Sequence, residues 1–287
     1  FLAASFGAYS DFNYIGRKLK MGTEIQKTLE QFTKGYKTPT EGAWINDLAI
    51  RSFRDIGDGD YIAARLALRA GLPTQAIWSG LQAVEKYLKC MLLLGRVSSK
   101  NVGHDLNKGL RLVNERLRFD ISLPDGERKV FEHLADSEGD RYLVSSVFLL
   151  HDELPGLDAL IWRLRQYCVP LDIKHYNDTP NESVLLANLA ALRERLDGAP
   201  ADGHIHNGLL EKVLAEEGKL AHDGLVWRNA MFGNEEPIYP GAGLNPFVAI
   251  NSPLYLHPEI ARPVSELIRL PAGALEAFEK LAAAEKR

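Results

Sequence analysis

Gln82, Lys86 and Lys89 recur at helical spacing within the run Pro73 to Leu94, so two ammonium groups a turn apart share one polar face about 100–160° from the apolar stripe of the same run. Such a face can grip a phosphate. His104 and Asp105 stand at the entry of the next helical run, where Asp105 can cap the helix and favour its dipole, while His104 packs or bonds back to the loop. Between Gly80 and Arg118 there are eight basic residues against three acidic, in a chain whose net charge is −4. From Phe119 to Leu160 the balance reverses, with three basic against ten acidic. Opposed charge on consecutive helices suits an anionic ligand or self-association of complementary surfaces. His204 and His206 form an HxH pair, but the nearest further ligands, His222 and Asp223, lie on or past another helix, so no metal or other cofactor is expected. The phosphate loops GxxxxGK[ST] and GxGxxG, the GxSxG elbow and HExxH are all missing.

The elements that must position these residues are helices. From Tyr61 to about Cys168 apolar residues recur at helical spacing, interrupted by Gly71-Leu72-Pro73, Gly95, Gly103, Pro124-Asp125-Gly126 and Pro155-Gly156. This pattern predicts four or five helices, antiparallel because their connections are short. In the second, Pro73 to Leu94, residues Ile77, Leu81, Val84, Leu88, Met91 and Leu92 fall within a stripe ~80° wide. A polar loop, Asp172 to Asn181, is the expected domain boundary. Beyond it, Glu182 to Leu196 reads as a helix, and Gly208 to Leu220 as another that extends toward Trp227. Residues 232–263 carry six prolines, too many for a regular element, and read as a wrap or an exposed arm. The last helix spans about Gly273 to Lys286. No strand-period alternation of useful length is visible.

With 287 residues, 46% hydrophobic and 25% charged, the chain has a globular composition and is long enough to bury a core without disulfides or structural metal. Its two cysteines, Cys90 and Cys168, have no CxxC spacing and read as idle thiols in a reducing cytoplasm. No apolar stretch approaches the ~18 residues of a bilayer span, and Phe1 to Tyr9 lacks the basic leader of a signal peptide. Residues 1–20 read as appended sequence or an extended start.

Three stretches taken together resemble the HEPN domain family. They are Asp60-Tyr61-Ile62-Ala63-Ala64-Arg65-Leu66-Ala67, then Ala83-Val84-Glu85-Lys86-Tyr87-Leu88-Lys89, then His104-Asp105-Leu106 with Leu110. The order, a small-residue-rich helix followed by A-x-E-K-x-L-K and an H-x-L helix entry, carries the likeness over about residues 60–168, and Arg141-Tyr142 resembles the Arg-Tyr pair of that family's later helices. The resemblance implies an all-α antiparallel bundle and a nucleotide or nucleic-acid phosphate as ligand. It also implies an alternative, a metal-independent ribonuclease with an Arg-x4-6-His motif, which here would be Arg128 and His133. In that alternative the arginine holds the scissile phosphate and the histidine works as general acid or base.

The expectation is an all-α protein with an N-terminal extension over residues 1–57, helical around Glu24 to Tyr36. A HEPN-like bundle follows over 58–171, and then a C-terminal helical segment with a proline-rich arm over 182–287. Lys86, Lys89, His104 and Arg141 are the candidate phosphate-binding residues, and the expected partners are a nucleotide or RNA and a second copy of the chain. A non-catalytic interaction module, with a protein partner on the C-terminal arm, is the remaining alternative.

Overall fold

The computed structural model describes residues 40–137, 146–150, 153–172, 181–233, 247–268, 270 and 273–285. Arg141 and the expected helix over Glu24 to Tyr36 lie outside them. The described chain is mostly helical. It runs through α1 (Glu41–Ala49), a π turn (Ile50–Arg54), α2 (Asp55–Arg69), α3 (Pro73–Leu94), α4 (Leu106–Arg116) and α5 (Asp125–Asp136). Strand β1 (Val147–Leu150), α6 (Glu153–Gln166) and α7 (Glu182–Asp197) follow, then the short helices α8 (Leu209–Leu214) and α9 (Leu220–Val226). Strand β2 (Phe247–Ile250), α10 (Pro253–Leu256), α11 (Ala261–Leu267) and α12 (Ala274–Glu285) complete it. Among the described residues no helix is long and apolar enough to cross a membrane.

The α2–α3 hairpin is the centre of the bundle. Gly71 closes α2 in the left-handed region (φ 73°), with Leu72 N–H donating to the Ala67 carbonyl at 2.9 Å, and Pro73 then starts α3 where its missing N–H costs nothing. The apolar stripe read from α3 is buried in full. Gly57 of α2 lies where an added Cβ would touch Tyr87, Ala83 and Lys86 at 3.2–3.3 Å, so the close approach of the two helices needs a residue without a side chain there. A boundary after residue 57 is therefore corrected: that position is inside α2 and packed on α3. At the end of α3 Arg96, not glycine, takes the left-handed position (φ 60°). Its guanidinium compensates by donating to Asn46 Oδ1 at 2.8 Å and the Gly42 carbonyl at 2.7 Å, which ties α1 to α3.

The expected boundary at residues 172–181 is also corrected. Leu192, Leu210, Val213, Leu225 and Phe232 belong to the same hydrophobic core as α2 and α3. The helix expected from Gly208 toward Trp227 is two, because Gly218 turns the chain at φ 78° between α8 and α9. The proline-rich arm contains regular structure after all. β2 pairs antiparallel with β1, Val147 opposite Ile250, and Pro253 opens α10 at the first-turn position where proline is tolerated. Strands of four residues are too short to show alternation in sequence. Beyond β2, Leu254, Ala261 and Phe278 form a separate small core.

Candidate functional site

Lys86 and Lys89 do share a face of α3, with His104 beside them, but carboxylates of the same chain occupy it. Lys86 Nζ lies 2.6 Å from Asp60 Oδ2 across the hairpin, and Lys89 Nζ donates to Glu85 Oε1 at 2.6 Å. Glu85 Oε2 is 2.8 Å from His104 Nδ1. Burial alone would raise the Glu85 carboxyl, yet the bonds from Lys89 and His104 outweigh it and hold that group below its ordinary value. The open phosphate grip expected of Lys86 and Lys89 is thus corrected, because an anion would first have to displace Asp60 and Glu85. Asp105 caps α4 as expected, its Oδ1 accepting from Lys108 N–H at 2.8 Å.

Arg128 and His133 are both on α5 and turned to different partners. Arg128 donates to the Leu123 carbonyl at 2.9 Å, below the start of its own helix. His133 Nδ1 is 2.5 Å from Glu153 Oε1, and its ring stacks on Phe148 with centroids 4.5 Å apart. Five residues on a helix separate side chains by about 140°, so within one chain the two do not converge on a phosphate. His204 faces the Phe232 ring, and among the described residues no group of three or more His, Cys, Asp and Glu side chains is placed to hold a metal. Cys90 and Cys168 are buried and free, and burial pushes the Cys168 thiol up.

The polar groups missed in the sequence are inside. Arg165, fully buried, donates from Nε and Nη2 to the Asp58 carboxylate at 2.8 and 3.0 Å and from Nη1 and Nη2 to Glu211, both at 2.7 Å; Tyr87 donates to Asp58 Oδ1 at 2.7 Å. Burial works against the Arg165 cation, but Asp58 and Glu211 more than offset it. A second network pairs Arg65 with Asp158, and Arg65 also donates to the carbonyls of Gly224 at 3.0 Å and Trp227. Tyr61 donates to Asp158 Oδ1 at 2.5 Å and accepts from Asn229 Nδ2 at 2.9 Å. Burial raises both tyrosine phenols well above their ordinary range, so they remain neutral donors. These networks fasten α8, α9 and the following turn to the bundle. Their signal was present in the sequence: Asp58, Tyr61 and Arg65 share one helix face with Ile62, and Arg165 interrupts the stripe Leu160, Ile161, Leu164.

Cavities of ligand size lie at two places among the described residues. The first, of about 340 Å³, opens between the ends of α3 and α4, residues 167–172 and the start of α7. Phe119 and Tyr167 line it with ring centroids 4.8 Å apart, and Arg116 and Arg118 stand at its edge. Arg118 is paired with Glu182 at 2.6 Å, whereas exposed Arg116 has no ion pair among the described residues. The second, of about 480 Å³, lies between the starts of α5 and α6 and the turn 228–231. Comparison with known proteins matches this chain to no family model, no curated protein and no solved structure.

Proposed function

We propose that this is a HEPN-like helical binding protein for a nucleotide or another phosphate-bearing ligand, and that the phosphate is held where α4 ends rather than on the α3 lysines. The observation that carries this reading is Arg116, with no ion pair among the described residues, on the lining of a cavity of about 340 Å³ that it shares with the Phe119–Tyr167 ring pair, within the range of small-molecule sites. A planar guanidinium can take phosphate oxygens two at a time, and an aromatic wall accepts the flat face of a base. Burial raises the Tyr167 phenol, leaving a neutral donor at the same wall. The location lies within the basic segment of residues 80–118 together with Phe119.

Calorimetric titration of the whole chain with AMP, ATP and a short RNA tests it. Arg116→Ala removes one charge-assisted contact of about 1.5–3 kcal/mol, a loss of roughly ten- to a hundred-fold in affinity. Lys86→Ala leaves affinity as in the parent, because that ammonium serves Asp60. Absence of binding by all three ligands, or equal affinity in Arg116→Ala, would refute the reading.

A further inference from the structure

We propose that the α4 cleft selects ligands with two consecutive phosphoryl groups, and that Glu182 holds the place of the second one on Arg118 until such a ligand arrives. This rests on the function proposed above and adds to it the phosphate count of the ligand and the residues that read it.

Two cations reach the cavity from one short stretch. Leu117, the residue after α4, is extended (φ −95°, ψ 170°), so Arg116 and Arg118 leave the chain on one side while Leu117 and Phe119 turn to the other. Their exposures follow that alternation: both arginines are exposed and both apolar neighbours half-buried. The inner side anchors the stretch. Leu117 covers Gly95 so closely that an added Cβ there would overlap it, and Phe119 packs on Tyr167. Asn114 closes the turn, its Oδ1 accepting from Ile121 N–H at 2.9 Å and its Nδ2 donating to the Ile121 carbonyl at 3.3 Å. Alternate residues of an extended chain stand about 7 Å apart, a spacing that two long arginine side chains close onto neighbouring phosphoryl groups.

The two guanidinium groups differ in what holds them. Arg116 has no ion pair among the described residues, whereas Arg118 donates from Nη2 to Glu182 Oε1 at 2.6 Å and from Nη1 to Oε2 at 3.5 Å. A guanidinium that faces both oxygens of a carboxylate presents the same fork that it presents to a phosphoryl group. The pair is open to water, with side chains 62% and 59% exposed, and an exposed ion pair is weak enough for a more highly charged anion to replace. Glu182 also stands in the first turn of α7, where the helix dipole favours a negative group of any kind.

Charge decides which ligand replaces it. The charged side chains on the lining are Arg116, Arg118, Asp172 and Glu182, which sum to zero. Those that act on Tyr167, namely Arg163, Arg193, Glu127 and Asp120, balance as well. A single phosphoryl group on Arg116 therefore enters a neutral lining and leaves the Glu182–Arg118 pair in place. A diphosphate that turns Glu182 out to solvent gains Arg118 and meets two arginines against Asp172 alone, a lining of net positive charge.

Calorimetric titration of the whole chain with AMP and ADP in magnesium-free buffer provides the test. ADP is expected to bind at least about tenfold more tightly than AMP. Arg118→Ala should bring ADP down to about the AMP level while AMP binds as in the parent. Glu182→Gln should strengthen ADP by about three- to tenfold and AMP by less. Glu194→Gln, which removes one exposed negative charge elsewhere on α7, should leave ADP as in the parent. Arg118 and Glu182 are exposed, so thermal unfolding of their variants should match the parent. An ADP preference that survives Arg118→Ala, no gain in Glu182→Gln, or a gain matched by Glu194→Gln would each overturn the proposal. AMP binding that depends on Arg116 with no preference for ADP would overturn it and leave the function above standing, whereas no binding of either nucleotide would overturn both.

Discussion

Arg165→Met isolates the energetic role of the inner ion network. Methionine keeps the length and apolar stem of the side chain, so packing changes little and the loss is electrostatic. In the parent, Arg165 makes two bonds to Asp58, which is fully buried, and two to Glu211, which is 18% exposed. Without the guanidinium Asp58 keeps the Tyr87 hydroxyl, and Glu211 keeps backbone N–H donors that include Ile205 at 2.9 Å. Breaking a buried pair by removing one partner costs about 3–5 kcal/mol, because a charge is left uncompensated. With a urea slope of about 2 kcal/mol per molar, the unfolding midpoint should fall by roughly 2 M. Adding Asp58→Asn removes the stranded buried anion, so the double variant should be more stable than Arg165→Met alone by about 0.5–3 kcal/mol, the range of coupling between contacting residues. Urea denaturation followed by circular dichroism reads both quantities. A single-variant cost under about 1 kcal/mol, or a double variant no more stable than the single, would refute the reasoning.

Two other substitutions probe separate parts of the fold. A Cβ added at Gly203 would overlap the Trp162 ring, which cannot swing away without losing its bond to the Pro200 carbonyl at 3.0 Å; Gly203→Ala should therefore cost about 1–3 kcal/mol and lower the melting temperature by roughly 2–10 °C, and an unchanged melting temperature would contradict the packing described. Glu85 ionises below its ordinary value of 4.5 in the fold, so its contribution is present in full above that pH and is lost as pH falls through the depressed folded value. The stability gap between the parent and Glu85→Gln should accordingly be widest near neutrality and close toward pH 3, as read from urea midpoints at several pH values; a gap that widens with acid would show that the carboxylate is not stabilised by Lys89 and His104.

Helical class, the limits of α3 and its buried stripe were legible in the sequence because they depend on local periodicity and on punctuation by Gly71, Pro73 and Gly95, all of which act within a few residues. Asp105 as a cap is legible for the same reason. The state of the two lysines was not. Their spacing placed both ammonium groups on one face, but Asp60 comes from the neighbouring helix, and its approach depends on the α2–α3 packing that Gly57 permits. Periodicity put Arg65 and Arg165 on apolar faces but could not name the carboxylates that make their burial tolerable, since these stand 93 and 107 residues away in sequence. Four-residue strands and a core shared across residues 172–181 are long-range pairings of the same kind. Local sequence thus determined where helices form and which faces are apolar, whereas tertiary packing decided which charges meet, because a charge is neutralised by whatever lies within a few ångströms of it and not by its neighbours in the chain.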